Sequence, residues 1–239
     1  RGNIATVGKA GGDFVYSTDS YFAGAASADG FGPTIAFPFN GIQGFTLSNQ
    51  AGNPELGPEF TKNKEVALEI SLFKGRFTAE ATRYKQKSSD LIFAVPNSAT
   101  AGITSVVMNA GNLTNKGWEL GINLIPLRYK SFEWSINFNY TQFKGVVDKL
   151  APGVTNIFLG GFVTPNIRLV EGDEYGQIYG NAYQRDAKTG KIIVGANGLP
   201  LITSGVQKIG NPNPKYQIGI TNTFIYKSFN LSFLIDYKK

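Results

Sequence analysis

The 239-residue chain contains no cysteine and no histidine. Without cysteine it can form neither disulfide bonds nor thiolate metal sites, and it has no cysteine nucleophile. Without histidine it lacks Ser-His-Asp and Cys-His catalytic groups, His-ligated zinc, and the side chain that usually senses physiological pH. The two absences remove the commonest routes to enzymatic activity and to a zinc centre.

Long apolar runs are also missing. No stretch approaches the ~18 consecutive apolar residues of a membrane-spanning helix, and the mean hydropathy is only −0.11. The lack of long apolar runs does not exclude a membrane β-barrel, because half of the residues in each barrel strand face water. The 29 glycines, 18 phenylalanines and 11 tyrosines suit many strands, tight turns and girdles of aromatic side chains.

The chain carries a formal net charge of +6. Its lysines are spread along the sequence and never form a dense run, so we interpret them as solvated loop charge. A nucleic-acid partner would call for a concentrated basic patch. The sequence therefore predicts no nucleic-acid binding.

The most informative stretch is 113–143, where two runs alternate between apolar and polar residues. Glu119, Gly121 and Asn123 lie between the apolar residues of the first run, and the short break at 126–131 separates the runs. Each run has about the length of a membrane-crossing strand, roughly 9–11 residues. We expect the apolar positions to face lipid. In this hairpin and the last one they are Trp118, Leu120, Ile122, Leu124, Trp134, Ile136, Phe138, Leu231, Phe233 and Ile235.

The same alternation recurs in two further hairpins, while the rest of the chain is loop-like. Strands are predicted at about 64–73, 76–87, 113–125, 132–143, 216–225 and 229–238, with the tail of another near 1–7. Long loops are predicted at about 8–60, 88–112 and 145–214, the last with small hairpins that turn at 186–191 and 197–198. Asn222 and Leu234 each break the alternation of the last hairpin.

Short turns at one side and long loops at the other are the asymmetry of bacterial outer-membrane barrels. The predicted fold is therefore all-β: an antiparallel transmembrane β-barrel fragment with long extracellular loops. Six or so strands cannot close a large barrel, and an open edge cannot sit in lipid. We expect the 239 residues to be one piece of a single barrel domain in a longer protein.

Candidate functional residues are few. Tyr175, Tyr179 and Tyr183 lie in the last long loop beside amides, where aromatics suit contact with a sugar, a peptide or a partner protein. The strand carboxylates show no pairing at a defined separation, as a glycosidase would need. Asp173, Glu174 and Asp186 match no EF-hand spacing. We therefore predict no catalytic residues, no metal site and no cofactor.

Four segments resemble sequence motifs of the SusC/RagA-type TonB-dependent transporters of the Bacteroidetes outer membrane. They are residues 52–59 (GNPELGPE), 109–120 (NAGNLTNKGWEL), 171–180 (EGDEYGQIYG) and 209–216 (IGNPNPKY), in the family's order. Each is weak alone, and the four together are fairly specific. Prolines before two strands also have a structural reason, because they extend the chain.

The resemblance implies a C-terminal portion of a transporter barrel of about 22 strands, with the plug domain outside this sequence. It further implies TonB-dependent import of glycans or peptides across the outer membrane. The implied partners are a SusD-like surface lipoprotein, TonB–ExbB–ExbD acting through the plug, and outer-membrane lipid. A dimer of transporter–lipoprotein pairs would fit the same resemblance.

Two alternatives come from other classes of protein. A soluble extracellular carbohydrate-binding β-domain would bury the apolar faces against a second sheet. A β-rich glycoside hydrolase would hold two carboxylates at a fixed separation. The asymmetry between short turns and long loops favours the barrel over both.

Overall fold

The structure, a computed structural model, describes residues 1–9, 17–27 and 35–239. Apart from one short 3-10 turn (Ala99–Ala101), the regular elements in these ranges are strands. No helix in the described ranges is long and apolar enough to span a membrane. The strands are β1 (Gly2–Lys9), β2 (Phe22–Gly24), β3 (Ala26–Ser27), β4 (Ile35–Ala36), β5 (Phe45–Leu47), β6 (Gln50–Ala51), β7 (Glu59–Leu72), β8 (Phe77–Pro96), β9 (Ser105–Tyr129), β10 (Phe132–Leu150), β11 (Asn156–Gly161), β12 (Asn166–Val170), β13 (Gln177–Gly180), β14 (Gln207–Gly210), β15 (Gln217–Tyr226) and β16 (Phe229–Lys238).

One large sheet dominates the molecule. Its strands run in the order β1-β7-β8-β9-β10-β15-β16, each antiparallel to the next. The short β6 adds a parallel pairing to the start of β9. The all-β, antiparallel prediction is therefore confirmed. Sequential strands are neighbours except between β1 and β7 and between β10 and β15, where long segments intervene.

Tight turns join the hairpins at one end of this sheet. Lys130 and Ser131 connect β9 to β10, and Lys227 and Ser228 connect β15 to β16. The predicted break at 126–131 was too long, because β9 continues through Pro126 to Tyr129. A register shift opposite Trp134 and Ile136 accommodates the proline as a bulge. Arg76 donates to the carbonyls of residues 125 and 126, at 3.1 and 2.7 Å, and so satisfies the bulged backbone.

At the other end the strands run far beyond the predicted limits. β9 has 25 residues and β8 has 20, so the loop predicted at 88–112 is wrong except around the 3-10 turn. The alternation fails there because the register shifts near Asp90, which has a positive φ of 59°. The strand ladder continues through this irregularity. The Asn112 side chain accepts a hydrogen bond from the Asp90 backbone N–H at 3.1 Å, and the Asn109 side chain donates one to the Asp90 backbone carbonyl.

The loop predicted at 145–214 is a folded module. Its first residues complete β10, and β11, β12, β13 and β14 form a separate antiparallel sheet that we call the outer sheet. The turns predicted at 186–191 and 197–198 are present, closed by backbone hydrogen bonds from Asp186 to Lys191 and from Gly195 to Leu199. The buried core joins the outer sheet to the extended ends of β8, β9 and β10; it comprises Val95, Ala110, Val147, Leu150, Ile157 and Leu169.

The segment predicted as a loop at 8–60 contains several short strands. In its described part β2 pairs with β5 and β3 with β4, while the ends of β1 and β7 also fall within it. The parts of that prediction at 10–16 and 28–34 lie outside the described residues. Each short pairing is too brief to show a clear alternation, which is why the pattern did not reveal it.

Candidate functional site

The register of the large sheet gives it one apolar and one polar face. Residues paired across antiparallel strands point to the same side, and Ile122 pairs with both Ala79 and Phe138, which in turn pairs with Ile220. Their sequence neighbours point to the opposite side, which is rich in Asn, Thr, Gln and Glu. We call these two sides the apolar face and the polar face.

The carboxylates of the strands lie close to one another on the polar face. Glu69 pairs directly with Glu80 across β7 and β8, and Glu119 follows on the same face of β9. Arg1 forms an ion pair with Glu69. Glu65, Glu80 and Glu119 line one open groove along this face. Because these groups share a groove with many amides and hydroxyls, the face forms an acidic, hydrogen-bonding surface.

Two details shape this groove. Tyr84 lies over Gly117, where a Cβ would come within 2.5 Å of both the tyrosine hydroxyl and the Gln142 carbonyl oxygen. Glycine is therefore required for the close approach of the ring. The side-chain oxygen of Asn115, also in the groove, is buried and has no hydrogen-bond partner among the described residues. A buried amide oxygen of this kind is an acceptor for water or for a bound donor.

Aromatic side chains border the apolar face at both ends. Near the tight turns, Phe132 pairs with Tyr129 and with Tyr226, which pairs with Phe229. Toward the other end, Tyr140 stacks on Tyr216, and Tyr216 lies tilted against Tyr237; the ring centroids are 6.0 Å apart in each pair. Between the two aromatic rows lie aliphatic side chains and phenylalanines. This arrangement matches the paired aromatic girdles that flank the apolar band of barrels in membranes.

Among the described residues of the apolar face, Asn222 is the one amide between these rows, and it has a specific partner. The Trp134 indole N–H donates to the Asn222 side-chain oxygen at 3.2 Å. Trp134 also stacks on Phe224, with centroids 5.6 Å apart and an interplanar angle of 9°. The residue that interrupted the predicted alternation therefore satisfies a tryptophan donor that the apolar surroundings would leave unpaired.

The three tyrosines of the last long loop are not equivalent. Tyr175 and Tyr183 are exposed, at 43% and 53%, whereas Tyr179 is 9% exposed within the outer sheet. The Tyr179 hydroxyl donates to the Asp173 carboxylate, which also binds Lys208. We therefore assign Tyr179 to holding the loop together. The contact hypothesis stays a prediction for Tyr175 and Tyr183.

Asp173 is held ionised by this network. Burial acts to raise the pKa of its carboxyl, but hydrogen bonds from Lys208 and Tyr179 and the charge of Lys208 outweigh burial, so the pKa lies below its usual value. Burial and the hydrogen bond to Asp173 raise the pKa of the Tyr179 hydroxyl well above its usual value. Backbone pairing fixes the same loop on β10, through Tyr175 N–H to the Gly145 carbonyl at 2.9 Å.

This geometry predicts acid sensitivity of the outer sheet. A carboxyl whose folded pKa is depressed stabilises the fold above its unfolded pKa of about 3.9, and that contribution is lost as pH falls through the folded pKa. The protection factors of the β12 and β13 amides, which compare the observed exchange rate with the intrinsic rate at the same pH, should therefore fall below pH ~4. The variant Asp173→Asn should exchange faster already at pH 7. Unchanged exchange in that variant at pH 7 would contradict the assigned role.

Asp186 has a purely local function. Its side chain accepts from the Thr189 hydroxyl and backbone N–H, each at 2.7 Å, and these hydrogen bonds lower the pKa of the Asp186 carboxyl. It lies in a turn apart from the Asp173 network. Among the described residues, no three Asp, Glu, His or Cys side chains are grouped so that they could hold a metal ion.

Basic side chains form a feature that the sequence analysis missed. Lys64 pairs with Lys85, Lys85 with Lys116, and Lys116 with Lys144, so four lysines lie side by side on the apolar face. We call them the lysine row. The next step away from the tight turns adds a further cross-strand pair, Lys62 with Lys87. The interpretation as scattered loop charge is wrong for these six, because only the strand register brings residues so distant in sequence together.

Comparison with known proteins places these features in context. Residues 5–225 match the sequence profile of the family described as TonB dependent receptor-like, beta-barrel. TonB-dependent receptor P26 of Formosa agariphila is 32% identical over 220 residues, covering 81% of this chain and 22% of the relative. TonB-dependent receptor P39 of the same organism is 33% identical over 144 residues, covering 60% of this chain and 13% of the relative. The chain thus spans less than a quarter of these relatives.

Solved structures give the same fold. The RagAB peptide transporter aligns over 100% of this chain and 26% of its own chain, with a TM-score of 0.74 and 21% identity. The RagAB peptide importer in its "open-open" state aligns over 99% and 25%, with a TM-score of 0.70 and 20% identity. At this identity the likeness concerns the path of the backbone alone.

Proposed function

Because this chain belongs to the TonB-dependent receptor-like β-barrel family, we propose that it is an outer-membrane segment of SusC/RagA type and forms part of the wall of a transporter for glycans or peptides. The observation that carries the proposal is the continuous separation of an apolar from a polar face over seven paired strands. The family is one of receptors and transporters, and in this proposal the chain performs no covalent chemistry.

The apolar face contacts lipid in this proposal. Leu68, Ile70, Leu231 and Ile235 are all more than 40% exposed on it, and no second sheet of the described residues covers them. A continuous exposed apolar surface over several strands marks an interaction surface. A barrel in lipid must be closed, so further strands of the same protein would continue the sheet beyond β1 and β16.

The polar face lines the transport lumen in this proposal. Its amides and hydroxyls suit a cargo with many donors and acceptors, such as a glycan or a peptide. The carboxylates of Glu65, Glu80 and Glu119 line the groove and repel anions, so we propose a neutral or cationic cargo rather than a polyanionic one. The basic net charge does not oppose this, because the cations of the lysine row lie on the other face.

The outer sheet contributes to the extracellular surface in this proposal. It lies at the end of the barrel wall opposite the tight turns, where outer-membrane barrels carry their long loops. Tyr175 and Tyr183 are exposed there. We propose that this module contacts the cargo or a SusD-like lipoprotein, with the energy for import supplied through TonB, ExbB and ExbD.

Fractionation of cells that produce the whole transporter tests this function. We expect the protein in the outer membrane, extracted only by detergent and co-eluting with a surface lipoprotein. A deletion strain should lose growth on one class of oligomeric nutrient, either glycan or peptide, and keep growth on the corresponding monomer. A soluble protein that elutes alone, with unchanged growth of the deletion strain, would contradict the proposal.

The acidic groove gives a sharper test of the cargo. The double substitution Glu80→Gln with Glu119→Gln should raise the relative uptake of anionic over neutral cargo about tenfold, since each removed charge lowers the barrier to an anion. Glu55→Gln, in an exposed loop, removes the same kind of charge away from the groove and serves as the control. Equal cargo preference in all three proteins would show that the groove does not meet the cargo.

A further inference from the structure

The lysine row concentrates positive charge that the described part of the protein neutralises only at Lys144. Neighbouring strands lie about 4.8 Å apart, and like charges directly opposite one another destabilise a sheet. Lys64, Lys85 and Lys116 make no ion pair within the described part of the chain, while Lys144 reaches Glu174 at 3.2 Å. An anion bound from outside the chain would reduce the repulsion between these neighbouring lysines.

The outward positions next to the row offer no carboxylate. One step toward the tight turns on the same face lie Arg83 and Trp118, with the guanidinium 4.5 Å from the centre of the indole ring. One step away lie Thr114 and the Lys62–Lys87 pair. Asp148, a further step beyond, accepts a hydrogen bond from the Thr114 hydroxyl. The patch is therefore predominantly basic, with Glu174 and Asp148 as the acidic residues at its border.

Two shallow grooves run between these side chains. One, of about 540 Å³, is lined by four basic residues and one acidic residue together with apolar and aromatic ones: Lys64, Lys85, Lys116, Arg83, Glu65, Ile4, Val66 and Tyr84. The other, of about 210 Å³, lies between Lys116 and Lys144 beside Trp118. Each combines ammonium or guanidinium groups with apolar surface. A ligand that carries both an anionic group and hydrocarbon fits this combination.

The row also lies at the height where such a ligand would be. Lys64 is eight residues from the strand end at Leu72, about 26 Å along a strand and roughly 20 Å of height at the usual tilt. This is close to the ~25 Å apolar band of membrane barrels. Lys116 and Lys144 lie 13 and 12 residues from the strand ends at Tyr129 and Phe132, about 40 Å along a strand and roughly 30 Å of height. Since the tight turns mark the periplasmic end, Lys64 lies near the outer-leaflet boundary and the row continues just above it.

We propose that the lysine row binds the phosphate groups of an anionic lipid of the outer leaflet, whose acyl chains lie on the apolar face below. The ammonium groups form ion pairs with phosphate, while the lysine stems cover hydrocarbon. Several phosphates or one bis-phosphorylated headgroup would span adjacent lysines and relieve their mutual repulsion. This inference concerns the outer wall of the barrel and does not depend on which cargo is imported.

Lipid titration of the whole transporter tests this proposal. The protein, purified in neutral detergent, is titrated with bis-phosphorylated lipid A, with its dephosphorylated form and with inorganic phosphate, and binding is measured by native mass spectrometry. The triple variant K64Q/K85Q/K116Q should bind the bis-phosphorylated lipid about 100-fold more weakly, since each basic residue near a membrane surface contributes roughly a factor of five. The unsubstituted protein should prefer this lipid to both other probes.

Two matched variants keep the test decisive. K74Q/K130Q/K227Q removes three exposed lysines from the tight turns at the other end of the barrel and should bind normally. K64R/K85R/K116R keeps the charge and should retain binding. Equal losses in both glutamine variants, or equal binding of inorganic phosphate, would overturn the proposal. So would loss of lipoprotein co-elution with unchanged lipid binding, because the row would then contact a protein.

Discussion

Arginine in place of Ile122 is expected to destabilise the barrel by about 2–4 kcal/mol, the cost of a cation on the lipid side near the middle of the bilayer. Ile122 lies between the two aromatic rows, paired with Ala79 and Phe138. Its neighbours on this face offer no carboxylate to pair with a guanidinium. The variant should assemble poorly and unfold at lower urea concentration, as measured by the heat-dependent mobility of the folded barrel on gels.

The adjacent residue provides the control. Asn123 belongs to the same strand but points to the polar face, where it pairs with Asn137. Asn123→Arg places the same charge in a wet, acidic lumen and should leave assembly within about 1 kcal/mol of the unsubstituted protein. Equal damage by both arginines, or greater damage at Asn123, would contradict the assignment of the two faces.

Alanine in place of Leu169 is expected to cost the outer sheet about 2–5 kcal/mol, because truncation of a buried leucine leaves a cavity. Leu169 is fully buried in the core that joins β12 to the extended ends of the barrel strands, in contact with the cluster of Val147 and Ile157. The effect should be local. Limited proteolysis should cut the outer sheet much faster, while the barrel keeps its folded mobility.

Leu199→Ala is the matched control for that experiment. Leu199 is 62% exposed in the same outer segment, so its truncation removes little buried surface and should change proteolysis by less than twofold. If both variants are cut at the same rate, the outer sheet is not held by the buried core. The core would then be a local cluster without a role in positioning the extracellular surface.

The faces of the large sheet were predictable because the strand period of two survives in the sequence. Trp118 through Leu124 and Trp134 through Phe138 alternate cleanly, and the register places them on one side. The extensions of β8, β9 and β10 were not predictable. Bulges near Asp90 and at Val147 shift the alternation, and in the outer extension both faces become partly buried, so the polar–apolar signal fades.

The sequence located the candidate contact residues in the last long loop, but it did not show which of them are exposed. Tyr175 and Tyr183 are exposed, but nothing in the sequence distinguishes them from Tyr179, whose burial depends on the fold of the outer sheet. The lysine row was invisible for a different reason. Lys64, Lys85 and Lys116 lie about 20 to 30 residues apart, and only the hairpin registers align them.

The most direct test of the account uses the absence of cysteine from this chain. Single cysteines at each position from 118 to 124 of the whole transporter, freed of any cysteine elsewhere, would carry nitroxide labels in lipid vesicles. The account predicts that collision with oxygen is high at Trp118, Leu120, Ile122 and Leu124, and that collision with a water-soluble nickel complex is high at the residues between them. A profile without this alternation, or with the two phases exchanged, would contradict the assignment of the apolar face to lipid and of the polar face to the lumen.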